Sequence, residues 1–346
     1  MAPFIQDTSS QSIARRPLRV VAIGGGTGLS TVLRGLKKYV VAPGVSRIAK
    51  NTYGIGDLAA LVTVTDDGGS SGRLRKEFNI LPPGDIRNCI VALSEDEDVL
   101  SRLFQYRFSA GTALEGHNFG NLFLTALTEV LGDFTQAVHE SSEILATRGH
   151  IFPSTKSNVQ LDAWMDDGTR VRGETKITAS HRRIVQLRLV PYNAKPLPQT
   201  LDAIAQADVI TIGPGSLFTS LIPNLLVHGI PEAITQSKAV KIFVSNLMMQ
   251  ANESLGMTAS DHIRAIFEHA RQPIFDYALV NNARISSDLL AKYQQESGAR
   301  QVECDTAAIV ALGVVCVTDN FLTETDAARH ATDAVALKVM EIAYQR

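Results

Sequence analysis

Short apolar runs alternate with amphipathic stretches along most of the chain, the pattern of a parallel sheet flanked by helices. Runs rich in β-branched and apolar residues predict strands at Leu18–Ile23, Ala59–Val64, Asp208–Ile212, Val240–Ser245, Phe275–Val280 and Gly313–Val317. Apolar residues spaced three and four apart predict helices over Leu29–Tyr39, Asp85–Ser94, Asp98–Phe108, Asn118–Leu131 and Phe134–Thr147. The same spacing predicts helices over Thr200–Ala207, Thr258–Ala270, Ser287–Glu296 and Asp326–Gln345. From about residue 151 to residue 190 the rhythm changes to β alternation. A hairpin signal at Asp166-Asp167-Gly168 stands there between Val159–Met165 and Thr169–Ile177. The expected fold is therefore one doubly wound α/β domain over residues 18–346 with a small antiparallel β insert at 151–190. Residues 1–17 are polar, end in Arg15-Arg16-Pro17 and lack the apolar stretch of a signal, so a disordered tail is expected.

Composition narrows the function classes. With 346 residues, 45% of them hydrophobic and 20% charged, the chain can build a core without staples. A net charge of −2 gives no reason to expect nucleic acid or a membrane surface as partner, so any anion site has to be a local one. No apolar run reaches the length that crosses a bilayer. Cys89, Cys304 and Cys316 are odd in number and lie in apolar surroundings. They read as buried, reduced thiols of a cytoplasmic protein, outside any disulfide or zinc framework.

The densest chemistry is Thr65-Asp66-Asp67-Gly68-Gly69-Ser70-Ser71-Gly72-Arg73-Leu74-Arg75, directly after a predicted strand. Such a run does not suit a core element, because glycine weakens regular structure and lets backbone approach a ligand. Its carboxylates suit a metal or a ribose, and its amides and arginines a phosphate. A second loop, Gly24-Gly25-Gly26-Thr27-Gly28-Leu29, joins a strand to an amphipathic helix, the geometry that sets phosphate on a helix N-terminus. It departs from G-x-G-x-x-G at Leu29 and lacks the lysine of a P-loop. The next strand-ending Asp lies about twice as far on as the roughly 20 residues of dinucleotide folds, so NAD is not supported. Ile212-Gly213-Pro214-Gly215-Ser216 repeats the strand–glycine–helix logic in the second half of the chain. Two such loops point to a crevice at a topological switch point.

Further candidates stand at helix starts. In Pro82-Pro83-Gly84-Asp85-Ile86-Arg87-Asn88, Asp85 is placed either to cap the helix or to face a ligand. Arg87, set against the helix dipole, is placed to meet an anion. In His117-Asn118-Phe119-Gly120-Asn121, the two amides lie one turn apart, and His117 is either a general base or an ordinary loop histidine. Met248 and Met249 read as gap-fillers. Asp261-His262 reads as a solvated helix face, and Glu95-Asp96-Glu97-Asp98 as an acidic helix start.

Taken in order, Gly24–Gly28, Asp66–Gly72, Pro82–Asn88, His117–Asn121 and Gly213–Ser216 resemble the CofD/YvcK family, and more closely its YvcK-like branch of gluconeogenesis factors. Pro223-Asn224-Leu225-Leu226 and Thr258-Ala259-Ser260-Asp261-His262 fit as well, so the resemblance runs from Leu18 to the C-terminus. It implies a Rossmann-like fold, a homodimer, and a nucleotide site at the C-terminal edge of the sheet. YvcK-like members resemble UDP-sugar binders, for UDP-N-acetylglucosamine above all, tied to cell shape and envelope synthesis on gluconeogenic carbon. The CofD branch is enzymatic, moving a phospholactyl-type group from a guanosine diphosphate donor to a deazaflavin alcohol with Mg²⁺.

On that resemblance Asp66 or Asp67 would hold the metal, and Gly24, Gly25, Gly26, Thr27, Gly28, Gly68, Gly69, Ser70 and Ser71 would meet the nucleotide. Arg73, Arg75 and Arg87 would hold the diphosphate, with Asn88, Asn118, Asn121, Gly213, Gly215 and Ser216 around the ligand. Tyr293 would stack on a base, and Arg329, in the last predicted helix, would reach a phosphate. Asp66, Asp67 and His117 are the catalytic candidates if a bond is broken.

Overall fold

A computed structural model describes residues 14–95, 99–251 and 253–345. Its strands, in chain order, are β1 (Leu18–Gly24), β2 (Ile55–Val62), β3 (His150–Pro153), β4 (Gln160–Met165), β5 (Arg170–Arg172) and β6 (Ile184–Val190). They continue as β7 (Val209–Ile212), β8 (Val240–Val244), β9 (Tyr277–Asn281), β10 (Val315–Asp319), β11 (Leu322–Glu324) and β12 (Ala328–His330). The helices before the insert's end are α1 (Gly26–Lys37), α2 (Gly69–Phe78), α3 (Gly84–Leu93), α4 (Val99–Gln105), α5 (Phe119–Leu131), α6 (Phe134–Ile144) and α7 (Glu174–Ala179).

Seven strands form one parallel sheet in the order β10-β9-β8-β7-β1-β2-β3. The central β1 and β7 are buried along almost their whole length because helices cover both faces, which is why they read as unbroken apolar runs. Ile23, Leu29, Leu33 and Leu61 in this core are at most 1% exposed, and each such side chain contributes roughly 1.5–3 kcal/mol by leaving water. The chain runs outward from β1 through β2 to β3 on one side and returns through β7 to β10 on the other. The switch point thus falls between β1 and β7, and both glycine loops leave the sheet there. The doubly wound, Rossmann-like architecture is as expected.

Several boundaries differ from the sequence reading. β2 starts at Ile55 and not Ala59, and the expected insert begins with β3, a four-residue strand that pairs parallel with β2 and belongs to the main sheet. The antiparallel insert proper is β5-β4-β6, with the hairpin at Asp166-Asp167-Gly168 where predicted. Its second arm stops at Arg172, since Gly173 takes φ +100 and starts α7, so Thr169–Ile177 is not one strand. The last helix runs only over Thr332–Tyr344, preceded by the β11–β12 hairpin. Three-residue strands are too short to leave a period in the sequence.

Other expectations are also corrected. Of the expected tail, residues 1–13 lie outside the described residues, but Arg15 exchanges backbone hydrogen bonds with Ile48 at 2.9 and 2.8 Å and Arg16 pairs with Asp208. Most of the acidic run, residues 96–98, also lies outside the described residues. Cys89 is buried, whereas Cys304 and Cys316 are half-buried; all three are free thiols. Asp261 is bound in a capping box with Thr258, and His262 is buried, not on a solvated face. Among the described residues no single helix is long and apolar enough to cross a membrane.

Candidate functional site

The two glycine loops pack directly on each other. A Cβ on Gly28 would stand 2.2 Å from the Pro214 carbonyl oxygen, and one on Gly25 would stand 2.7 Å from the Asp85 carboxylate. Gly26 needs φ +60, a region that costs other residues energy. Two asparagines hold the pair. Asn224 donates to Gly24 O at 3.0 Å and to Ser220 O at 2.8 Å. Asn246 grips the Gly215 peptide from both sides, accepting from its N–H at 2.9 Å and donating to its oxygen at 2.8 Å. Between them opens a cleft of about 510 Å³, lined by Gly25–Gly28 and by Pro214, Gly215, Ser216 and Ser220.

Carboxylates form one side of this cleft: Asp66, Asp85 and Glu174. Asp66 accepts from Gly68 N–H at 2.9 Å and lines the cavity. Its neighbour Asp67 turns away and accepts from Thr175 N–H at 2.9 Å and from Thr175 Oγ1 at 2.7 Å. Asp67 thus fastens the first turn of α7, and α7 brings Glu174 into the cleft. Asp85 is not the helix cap, since Pro83 occupies that position without a side-chain bond; Asp85 accepts from the Gly26 backbone instead. Burial and the Asp66 charge push the Asp85 carboxyl up to about 7, against the Gly26 bond and Arg87. Burial, then Asp66 and Asp85, push Glu174 up to about 9. Among the described residues no group of three or more His, Cys, Asp or Glu side chains is arranged to hold an ion. A Mg²⁺ ion fits all the same, because it commonly takes one or two carboxylates and completes its shell from substrate phosphates and water.

The polar run Ser70–Arg75 is a correction to the sequence reading: it folds as part of α2, buried except at Arg73. Arg75, 6% exposed, is consumed inside the protein. It donates to Asn158 Oδ1 at 2.8 Å, to Thr65 O and Asp66 O at 3.3 Å, and to Val159 O. Arg73 donates to Glu115 O at 2.8 Å. Ser70 and Ser71 face the start of α5: Ser70 Oγ lies 3.1 Å from His117 Nδ1, and Asn121 Nδ2 donates to Ser71 Oγ at 3.4 Å. Asn118 caps α5 through Asn121 N–H at 3.2 Å. Burial, then Arg73, lowers His117, so it sits as a neutral imidazole. Arg87 donates to Asn88 Oδ1 at 2.6 Å, and its buried Nε has no partner among the described residues. This cluster borders the cleft through Gly84, whose Cβ would stand 2.5 Å from Ser71 Oγ and 3.2 Å from Asp66 Oδ2. None of Arg73, Arg75, Arg87, Asn88, Asn118 and Asn121 lines the glycine-loop cleft itself.

The far wall is built from the ends of β8 and β12 and from the 287–297 helix, with Leu247, Met248, Tyr293, Ala328 and His330. Tyr293 lines this wall, its hydroxyl accepting from Ala328 N–H at 3.0 Å. Arg329 is not in a helix and does not reach the cleft. It lies on β12 between the two lining residues, so strand alternation points it outward, where it pairs with Asp326 at 3.2 Å. Glu174, Asn246, Gln250 and His330 also line the cleft, and the sequence reading did not single them out as site residues. The strand-ending Ser245-Asn246 was the one visible signal.

Similarity to known proteins agrees with this geometry. The family model described as "2-phospho-L-lactate transferase CofD" matches residues 20–322. The protein named "Gluconeogenesis factor" of Halalkalibacterium halodurans is 46% identical over 323 residues, covering 93% of this chain and 95% of that one. The one so named in Bacillus subtilis is 43% identical over 325 residues, covering 94% and 98%. A crystal structure of a UPF0052-family protein from Bacillus halodurans superposes with a TM-score of 0.87 at 45% identity, covering 94% of this chain and all of that one. With the switch-point cleft, its paired glycine loops and a family match over most of its length, this chain belongs to the CofD family and is similar throughout to gluconeogenesis factors.

Proposed function

We propose that the protein binds a nucleoside diphosphate sugar, of the UDP-N-acetylglucosamine type, as a cytoplasmic homodimeric regulator tied to cell shape and envelope synthesis on gluconeogenic carbon. The observation that carries the reading is the convergence of both glycine loops on one cleft at the switch point, with carboxylates along its β2 side. The diphosphate lies over the amides of Gly25–Gly28 and Gly215–Ser216. Asp66 and the ionised fraction of Asp85 would repel a bare diphosphate, whereas Glu174 is held protonated near pH 7, so the ligand would enter with Mg²⁺ held by Asp66 and Asp85. When bound, the ion supplies charge neutralisation between carboxylates and phosphates. Tyr293 supplies a ring face to the base.

The same acidic side favours a second reading, a Mg²⁺-dependent transferase of the 2-phospho-L-lactate type with a guanosine diphosphate donor and a deazaflavin acceptor. There Asp66 and Asp85 would orient the metal–diphosphate, and the Arg87 charge, coupled to both carboxylates from behind the cleft lining, would offset negative charge at the transferring group. Calorimetry with UDP-N-acetylglucosamine, UDP-glucose, GDP, GTP and NAD, with and without Mg²⁺, separates the two. Binding of a UDP-sugar that survives long incubation unchanged supports the regulator. Preference for GDP strengthened by Mg²⁺ supports the transferase, and binding of NAD alone rejects both.

A further inference from the structure

The cleft is chemically two-sided, and strand order sets its sides. Asp66 and Asp85 follow β2, the glycine loops follow β1 and β7, and Leu247, Met248 and Tyr293 follow β8 and β9. The carboxylates and the aromatic, apolar wall therefore flank the phosphate loops on opposite sides. A nucleotide laid across the loops with its cation at Asp66 carries its base to the wall made by Met248, Tyr293 and His330.

His330 presents a defined hydrogen-bonding group there. Its Nε2 lies 3.0 Å from the backbone oxygen of Ser245. A carbonyl oxygen only accepts, so Nε2 carries the hydrogen and Nδ1 of the neutral ring keeps a lone pair. Nδ1 has no partner among the described residues, and the half-buried ring lines the cleft. Burial lowers the imidazole to about 4, which keeps the ring neutral near pH 7. A fixed acceptor beside a base-stacking ring selects for a base that offers a donor at the facing point of its edge, a ring N–H being set closer to the stacked ring than an exocyclic amine.

Resting on the nucleotide reading above, we infer that His330 is the specificity-determining acceptor for the base, taking the ring N–H (N3–H of uracil, N1–H of guanine) that cytosine and adenine lack. The two sources of that N–H differ in ring size and are separated by the panel below. Strand alternation makes the assignment specific to position 330: Arg329 beside it points out of the cleft, whereas Ala328 only presents its methyl and donates its N–H to Tyr293.

The test is calorimetric binding of UDP, CDP, GDP and ADP in Mg²⁺ to the full chain and to His330→Phe, with thermal melts alongside. The wild type is expected to prefer UDP over CDP, or GDP over ADP, and the Phe variant to lose about tenfold of that preference, as for one lost hydrogen bond. His330→Gln, which keeps a donor for Ser245 and an acceptor for the base, is expected to retain it. Should His330→Phe not fold, UDP methylated at N3 or GDP methylated at N1 replaces it, with wild-type affinity falling about tenfold or more. Equal weakening of all four nucleotides, or a wild type indifferent to that ring N–H, overturns the assignment. A wild type that binds none of the four overturns the nucleotide reading itself, and this assignment with it.

Discussion

Asp67 and Thr175 are joined across 108 residues by two hydrogen bonds on a single carboxylate oxygen, 2.9 Å from the backbone N–H and 2.7 Å from the hydroxyl. The contact makes Asp67 an external cap for α7 and leaves Asp66 as the member of the pair that lines the cleft. Asp67→Ala is therefore expected to lower stability by about 1 kcal/mol, as for a lost helix cap, and to leave the Mg²⁺ dependence of ligand binding in place. Asp66→Asn is expected to remove that dependence with a smaller change in melting temperature. Thermal melts and Mg²⁺ titrations of both variants check the division; the opposite assignment of effects would restore Asp67 as the ligand.

Stability should fall as pH rises above neutrality. Asp85 titrates near about 7 and Glu174 near about 9 in the folded protein, while an unfolded carboxyl titrates at about 4. The folded state holds both protons more tightly than the unfolded chain, so their contribution is fully present below about pH 4. It is lost as pH rises, first through about 7 for Asp85 and then through about 9 for Glu174. His117, His262, His269 and His330, whose imidazoles burial lowers, oppose this fall only up to about pH 6.5. The ligand-free protein is thus expected to melt a few degrees lower at pH 9 than at pH 7.5, and Glu174→Gln to flatten that slope. A melting temperature that rises over this window in the wild type would contradict the carboxylate cluster.

Gly28→Ala tests whether the two loops act as one unit. The new methyl would meet the Pro214 carbonyl at 2.2 Å, a backbone atom that cannot rotate aside. The expected cost is about 1–3 kcal/mol of stability, with nucleotide affinity falling further than stability alone accounts for. Affinity at the wild-type level in a folded Gly28→Ala protein would show that the loops can separate without loss.

Arg75 and Arg87 should behave differently although both were candidate phosphate ligands. Arg75→Ala strips donors from the Thr65, Asp66 and Val159 carbonyls and is expected to cost about 3 kcal/mol. Arg87, which among the described residues bonds through its side chain to Asn88, is expected to cost less stability on truncation but to weaken ligand binding about tenfold through loss of its charge near Asp66 and Asp85. Paired melts and binding isotherms separate them; similar stability losses in both would make Arg87 structural too.

Much of this protein follows from local sequence. Strands β1, β7, β8 and β9 and the helices behind them are set by apolar periods that each segment carries alone, and the two glycine loops declare themselves because a strand, a glycine cluster and a helix follow in order. Both loops proved to meet at the switch point, since that geometry needs only the strand order that right-handed crossovers impose. Which side chains face the cleft was decided elsewhere. Asp66 and Asp67 are indistinguishable in sequence until α7, more than a hundred residues on, claims one of them. Arg75 points inward because Val159 and Asn158 of the insert lie against it. His330 faces in and Arg329 faces out only because Ala328–His330 pairs with Leu322–Glu324, and a strand's two faces are assigned by what it pairs with and packs on. The sequence alone determined the frame, through short-range patterns; the chemistry of the cleft was settled by contacts between segments far apart in the chain.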